Sequence, residues 1–214
     1  MDLRRRIILT PMMRSLKNNN FNRRIFLGSS AYTLMMPLSA FAMTTDQATD
    51  LVVRAVSEIN KVISSGKNEQ SMMRGFEDIF DSFGDVNMIA RYALGREARS
   101  LPDADIKSFT KAFKIYVSHK YGSRFRKFIG GQIDVKSSRK VKQFFEVKAK
   151  AVIKNQEPLE LIFLVSDKSG EPLFFNIYVE GINLLLTERS EIGALMDSNG
   201  GDIKATIRKL KNFF

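Results

Sequence analysis

The chain has 214 residues, of which 44% are hydrophobic and 27% are charged, and this balance is typical of a folded domain rather than a disordered segment. It contains no cysteine and a single histidine, so disulfides, thiolate metal sites and cysteine nucleophiles are excluded, and histidine catalysis has one candidate. The 34 basic residues outnumber the 23 acidic ones, and the formal net charge of +11 by itself suggests an anionic partner such as nucleic acid or a membrane surface.

The amino-terminal segment has the pattern of an export signal. Seven basic residues and one acidic residue are followed by an apolar stretch of small residues at 25–42. The stretch ends in Ala40-Phe41-Ala42, the small-x-small pattern that a signal peptidase accepts. Arg23-Arg24 before it resembles a twin-arginine signal, although a Sec-type signal can carry such a pair by chance. We therefore expect a signal peptide at 1–42 and a single domain at 43–214, with an uncleaved membrane anchor as the less favoured alternative.

Loss of this segment would change the charge argument. Of the 34 basic and 23 acidic residues, 27 and 22 would remain, so the mature domain would carry a net charge of +5. We expect that domain to be exported and soluble, because no later apolar run is long enough to span a bilayer.

Four helices are predicted in the first half of the mature domain. Apolar residues at helical spacing and capping residues predict three of them before residue 96. The predicted caps and terminators are Thr44, Gly66, Gly84, Asp85 and Gly95. A fourth helix is predicted from Asp103 to about Ile129, and at 1.5 Å per residue it would be roughly 40 Å long.

The apolar period then changes from 3.6 to 2, which predicts an antiparallel sheet. Residues 132–136 are expected to form a first strand. After Val141 the odd positions 145–153 are apolar and alternate with charged residues, a pattern typical of a strand with one face in water. The charged residues are Lys142, Glu146, Lys148, Lys150 and Lys154. A third strand is expected at 159–165.

The apolar run that begins at Leu173 is predicted to be the last long strand. Gly181 interrupts the run, and we expect it to bend the strand before a helix begins at Glu188. A final helix should follow Asp202. Helices followed by hairpin-linked strands predict an α+β fold, with helices packed on one face of an antiparallel sheet of about four strands.

No sequence pattern points to catalysis. Glycine-rich phosphate loops, metal-spaced clusters and nucleophile elbows do not occur in the sequence. His119 is explained more simply as a surface or packing residue. Asp78, Asp81 and Asp85 lie near one another in the sequence and are explained as helix caps or as parts of a solvated face. Basic and aromatic residues alternate at 107–127, which on a strand would suggest stacking with nucleic acid. On a helix the same residues form a buried face and a solvated face, and a basic face could still meet lipid headgroups or an acidic partner.

The apolar composition fits either an adaptable pocket or an ordinary core. Seventeen phenylalanines and ten methionines supply flat and flexible apolar surface. The small residues Ala149 and Ala151 on the inward strand face would leave space for a ligand or allow close helix packing. Composition alone does not decide between the two.

Three passages share the pattern of one known family. Residues 83–95 (FGDVNMIARYALG) are similar to its F-D-x-x-x-M-A-x-x-x-L-G segment, and residues 109–113 with Tyr116 and Tyr121 are similar to the long helix that follows. Residues 179–184 (VEGINL) are similar to its V-E-G-V-S-L passage. From about Asp46 onward the chain therefore resembles the MlaC family, also called toluene-tolerance or ABC-transporter auxiliary proteins.

The chain departs from the family pattern at two asparagines and one aromatic residue. Asn176 stands where the family often has Asp, and Asn183 stands where it often has Ser. The tryptophan common in the preceding strand is also missing. These departures concern details of the site rather than the family.

The resemblance implies a soluble periplasmic phospholipid carrier. Its fold would be cone-like, with helices and sheet enclosing an acyl-chain cavity and the headgroup outside. It would pass lipid between an outer-membrane lipoprotein complex and an inner-membrane ABC transporter with an MCE subunit, and so maintain outer-membrane lipid asymmetry. The implied contacts with membranes are transient, and neither enzymatic activity, nucleic-acid binding nor a cofactor other than bound phospholipid is implied.

We expect the long helix and the inward strand faces to line such a cavity. Shielding a methylene from water is worth about 0.8 kcal/mol, so two acyl chains with roughly thirty methylenes need a deep apolar pocket. The predicted lipid-binding residues are Phe113, Tyr116, Val117, Val147, Ala149, Phe163, Phe175 and Ile177.

Three other functions stay open at the level of sequence. One is an exported accessory protein that binds a partner and has a packed core with no ligand. A basic nucleic-acid-binding module would need to keep the amino-terminal basic cluster. A small exported enzyme would need a polar pocket, for which the sequence supplies few candidates.

Overall fold

The computed structural model describes residues 43–123, 131–153 and 156–213, all of which belong to one compact unit at 40–214. The expected signal peptide at 1–42 lies outside the described residues. Within the described ranges, no helix combines the length and the apolarity that crossing a membrane would require.

Three capped helices come first, where the sequence predicts them. They are α1 (Thr45–Ser64), α2 (Glu69–Phe83) and α3 (Val86–Leu94). Thr44 forms a capping box at α1, since its side chain accepts from the Gln47 backbone at 3.2 Å and its own N–H donates to the Gln47 side chain at 2.8 Å. The Asn68 and Asp85 side chains accept backbone N–H groups at the starts of α2 and α3.

The fourth helix, α4, covers Asp103–Gly122 and follows a short 3-10 turn at Glu97–Arg99. Its 20 residues span roughly 30 Å at 1.5 Å per residue. The predicted continuation to about Ile129 falls on residues 124–130, outside the described ranges. The helix packs against α2, α3 and α6, the last of which is Ile203–Lys211.

Lys114 joins α4 to α2 through two carboxylates. Its Nζ atom lies 3.2 Å from Asp81 and 3.4 Å from Glu77, and its side chain is 20% exposed. Partial burial by itself lowers the pKa of Lys114, but hydrogen bonding and charge attraction from Asp81 and Glu77 outweigh it, so the pKa is raised above its ordinary value.

Five antiparallel strands form one sheet in the order β1-β2-β3-β4-β5, which confirms the predicted α+β fold. The strands are β1 (Gln132–Val141), β2 (Phe144–Val152), β3 (Leu159–Ser166), β4 (Leu173–Val179) and β5 (Ile182–Asn183). The predicted inward face of β2 is confirmed, because its odd positions 145–151 are all buried.

The first strand is twice as long as predicted. The sequence suggested an end at 136, whereas β1 continues to Val141, where a two-residue turn leads into β2. The polar second half of β1 has no apolar period because it lies at the edge of the sheet and is largely solvated. A bulge between Val135 and Ser137 also interrupts its alternation.

The single long strand predicted through Gly181 is wrong. Glu180 and Gly181 have φ values of 49° and 76°, and this pair of positive angles makes a tight hairpin that folds β5 back onto β4. Helix α5 (Leu184–Ser198) begins at once, four residues before the predicted start. Its first residues are leucines, and a short apolar run does not by itself distinguish a strand from a buried helical turn.

Two hydrophobic clusters fill the interior. The first joins α1 and α2 to the inward face of β1–β4 and includes Val52, Phe76 and Val147. The second joins α3, α4, α5 and α6 and includes Phe109 and Ile192. The candidate site lies where the two clusters meet.

Candidate functional site

A cavity of about 480 Å³ is enclosed by helices on one side and by strands β3 and β4 on the other. Its wall is almost entirely apolar and includes Ile182, which is 59% exposed. The aliphatic and aromatic lining includes Ile59, Phe76, Ile79, Phe80, Ile89, Val117, Leu161, Phe163, Phe174, Phe175, Ile177, Val179 and Leu185. Both hydrophobic clusters contribute to this wall.

The pairing of β3 with β4 determines which side chains form the sheet side of the cavity wall. Leu161 lies opposite Val179 and Phe163 lies opposite Ile177, so two cross-strand pairs present four apolar side chains on one face.

A bulge in β4 brings two consecutive phenylalanines to the cavity. The β3–β4 register shifts between Leu164 and Val165, and Phe175 is the extra residue on β4. As a result Phe174 packs with the first cluster, Phe175 packs with the second, and both line the cavity. The Phe174 ring also lies 6.2 Å from Phe80 and 6.0 Å from Phe163, which builds an aromatic corner.

The corner between α2 and α3 lies against β4, and Gly84 at this corner has no room for a side chain. A Cβ at Gly84 would lie 2.7 Å from the Phe80 carbonyl oxygen, which is closer than real Cβ atoms come. The next residue, Asp85, donates its backbone N–H to the Phe174 carbonyl at 2.8 Å. This contact holds the helical corner on the strand beside the cavity.

The cavity has one polar end, built from α4 and α5. Lys120 donates to Glu188 Oε1 at 2.7 Å and forms a second ion pair with Glu191. The Tyr121 hydroxyl donates to Glu188 Oε1 at 2.6 Å. The Glu188 side chain is 4% exposed, that of Lys120 is 12% exposed and that of Glu191 is 45% exposed, so the cluster extends from the interior to the surface.

A second polar group joins β4 to the start of α5. Asn176 is buried, and its Nδ2 donates to Asn183 Oδ1 at 2.9 Å. Its Oδ1 accepts from the backbone of Ile177 at 2.8 Å and of Leu185 at 3.1 Å. Asn183 Oδ1 also caps α5 by accepting from Leu186 N at 3.0 Å. The two asparagines that depart from the family pattern are therefore hydrogen-bonded partners.

Four of the eight predicted site residues line this cavity, and four do not. Val117, Phe163, Phe175 and Ile177 belong to its wall. Phe113 and Tyr116 instead pack in the second cluster, and Val147 and Ala149 pack in the first.

Packing explains this division. Phe113 stacks on Phe109 with the ring centroids 5.6 Å apart, and the Tyr116 hydroxyl donates to Glu191 at 2.9 Å. Strand β2 is covered by α1, which occupies the space above Val147 and Ala149. Helical and strand periods predict which side chains are buried, but they do not distinguish a cavity wall from a packed core.

Sequence reasoning missed the α2 side of the wall, Phe174 and the polar end. The helical period of α2 predicts a buried face for Phe76, Ile79 and Phe80, but it does not indicate that they line a cavity. Phe174 was missed because the bulge reverses the alternation of β4. The signal available for the polar end was Glu188, a charged residue two positions after the apolar run that ends at Leu186.

The described residues contain no group of three metal-ligating side chains that could hold a metal ion. The fold and the cavity define an α+β protein with an apolar pocket between its helices and its sheet.

Comparison with known proteins places this architecture in a family. The model of the MlaC protein family matches residues 49–212, most of the chain, so the chain belongs to the MlaC family. Among solved structures it is similar to a phospholipid-binding protein from Ralstonia solanacearum in complex with a phospholipid, with a TM-score of 0.67 and 17% sequence identity. That alignment covers 78% of this chain and 96% of the Ralstonia chain, and at this identity it concerns the fold. A search of curated proteins finds no match.

Proposed function

We propose that the protein is a phospholipid carrier, and the apolar cavity of about 480 Å³ is the observation on which the proposal rests. Pockets for small organic ligands typically measure about 300–1,000 Å³. Aliphatic and aromatic side chains from helices and sheet dominate the wall, so the cavity selects its ligand by shape and apolarity. Membership of the MlaC family and the bound phospholipid in the similar Ralstonia structure support an acyl-chain ligand.

The proposed role is binding and transport rather than catalysis. Among the polar residues that line the cavity, Lys120 and Tyr121 both donate to Glu188, and this arrangement suggests no nucleophile with an adjacent base. Apolar chains gain about 0.8 kcal/mol per methylene on leaving water, so the carrier stabilises its cargo without chemistry.

We further propose that the protein works in the periplasm after export. It would receive lipid from, and deliver lipid to, an outer-membrane lipoprotein complex and the MCE subunit of an inner-membrane ABC transporter, with transient membrane contact. The family assignment and the export pattern at 1–42 support this placement. Ile182, which lines the cavity, and Leu186 are both at least half exposed and offer apolar surface for such contacts.

Native mass spectrometry of protein purified from the periplasm tests the proposal. We expect a mass increment equal to one or more phospholipids and the same lipid in an organic extract. A bare polypeptide with no phospholipid in the extract would contradict the carrier function and favour an accessory protein without a ligand.

A further inference from the structure

Two buried polar atoms in the lining of the cavity have no hydrogen-bond partner. Among the buried side chains of the described residues, only Ser118 Oγ and Glu188 Oε2 are in this condition. Both residues line the cavity. Buried polar atoms in folded proteins are nearly always hydrogen-bonded, so each exception calls for an explanation, and the fact that both belong to the cavity lining points to a ligand.

The charge of this polar end narrows the class of ligand. Lys120 lies between Glu188 and Glu191 and forms an ion pair with each carboxylate. Lys120 and the Tyr121 hydroxyl both donate to Glu188 Oε1, which leaves Oε2 as an acceptor facing no donor. A carboxylate oxygen in this setting favours a positively charged donor, because charge-assisted hydrogen bonds are roughly twice as strong as neutral ones.

The position of the polar end suits a headgroup rather than an acyl chain. Glu188 is buried at the cavity while Glu191, one helical turn later, is 45% exposed. The cluster therefore lies at the boundary between the apolar wall and solvent. A phospholipid whose chains occupy the apolar part would place its polar part at this boundary.

We propose that this polar end recognises a phospholipid headgroup that carries a primary ammonium. The ammonium donates to Glu188 Oε2, and the Ser118 hydroxyl donates to a phosphate or ester oxygen of the same lipid. This inference rests on the proposed function and adds the chemical class of the headgroup. Phosphatidylethanolamine has such an ammonium, whereas phosphatidylglycerol offers only neutral hydroxyls and a net negative charge.

Competition between two lipids tests the proposal directly. The purified full-length mature protein is equilibrated with excess vesicles that contain equal amounts of phosphatidylethanolamine and phosphatidylglycerol with identical acyl chains. Bound lipids are then extracted and quantified by mass spectrometry. One hydrogen bond to a charged group corresponds to roughly a tenfold preference, so we expect the bound fraction to be enriched in phosphatidylethanolamine by about that factor.

Variants test which residues produce the preference for phosphatidylethanolamine. Glu188→Gln keeps the shape but removes the charge, so the bound ratio should approach that of the vesicles while total binding persists. Glu77→Gln is the matched control, because Glu77 also pairs with a lysine of α4 but lies outside the cavity lining. It should keep the wild-type preference. Ser118→Ala should lower binding of both lipids alike.

The outcomes separate this inference from the carrier function. Bound lipid in the vesicle ratio for the wild type would overturn the headgroup proposal and leave the carrier function intact. A wild-type preference that survives in folded Glu188→Gln would also overturn it. If neither lipid binds, the carrier function itself fails. If circular dichroism shows Glu188→Gln to be unfolded, the wild-type ratio and Ser118→Ala still decide, and unchanged binding by folded Ser118→Ala counts against the proposal.

Discussion

Replacing Lys120 by methionine would leave the buried carboxylate of Glu188 without its cation. Methionine keeps much of the apolar stem of lysine, so packing against α5 is largely preserved and the main change is the loss of the ammonium. Glu188 retains one donor, the Tyr121 hydroxyl at 2.6 Å. Glu191 loses the same cation but is 45% exposed, so water can take its place.

The structure sets the size of the expected effect. Removing one partner of a fully buried ion pair costs about 3–5 kcal/mol. Lys120 is 12% exposed and Glu188 keeps a hydrogen bond, so we expect the free energy of unfolding to fall by about 2–4 kcal/mol. For a domain of this size that corresponds to a decrease of about 4–16 °C in Tm.

Urea denaturation followed by circular dichroism measures this loss. The double variant Lys120→Met/Glu188→Gln should recover more than half of it, because no buried charge is then left unpaired. Glu191→Gln alone should cost no more than about 1 kcal/mol, since its carboxylate is half exposed. A loss below about 1 kcal/mol for Lys120→Met, or no recovery in the double variant, would refute the conclusion that Glu188 is a buried charge stabilised by Lys120.

Three further predictions concern the cavity, the asparagine pair and an ion pair between helices. Val117→Phe extends a cavity-lining side chain and should reduce the phospholipid retained per protein several-fold, whereas Val53→Phe on the exposed face of α1 should leave native mass spectra unchanged; equal retention in both would place the ligand elsewhere. Asn176→Asp places a carboxylate oxygen against the capping oxygen of Asn183 and should cost about 1–3 kcal/mol in urea. Adding Asn183→Ser should recover most of that loss, because a hydroxyl both donates and accepts, and an additive double variant would contradict the coupling. Lys114→Met should cost about 0.5–1 kcal/mol near neutral pH. The raised pKa of Lys114 means that its contribution is complete below its unfolded value of 10.5 and is lost as pH rises through the folded value, so the two stability curves should converge at high pH and a constant gap would argue against the ion pairs.

The helices and the parity of β2 are predictable from sequence because local chemistry determines them. Thr44, Asn68 and Asp85 supply side-chain oxygens where backbone N–H groups need partners. In β2, lysines alternate with apolar residues over a long stretch, so a slip of one residue would bury charge. Both signals lie within a few residues of the element that they specify.

The β4–α5 region is not predictable in the same way because its structure depends on distant contacts. The leucines at 184–186 fit a strand or a helix equally well. Their helical conformation is supported by Asn183 at the cap and by Asn176, which accepts from Leu185 N across nine residues of sequence. The bulge at Phe175 likewise depends on the register with β3.

Half of the residues predicted to line a cavity do so, for a related reason. Val117, Phe163, Phe175 and Ile177 are apolar and inward-facing, as their periods indicate. Phe113 satisfies the same criteria but packs against Phe109 in the second cluster. Burial follows from the period of one element, whereas a cavity depends on how several elements fail to fill the space between them.

The meeting of two hydrophobic clusters at the cavity has a mechanical consequence. A ligand in the cavity contacts side chains from α1, α2 and the sheet on one side and from α3, α4 and α5 on the other. Such a ligand would connect the two clusters, and its binding free energy would add to the free energy of unfolding. In the proposed carrier, binding of a lipid would strengthen the contact between the two clusters and its release would weaken that contact. A receptor that separates the two clusters would therefore also favour release of the lipid.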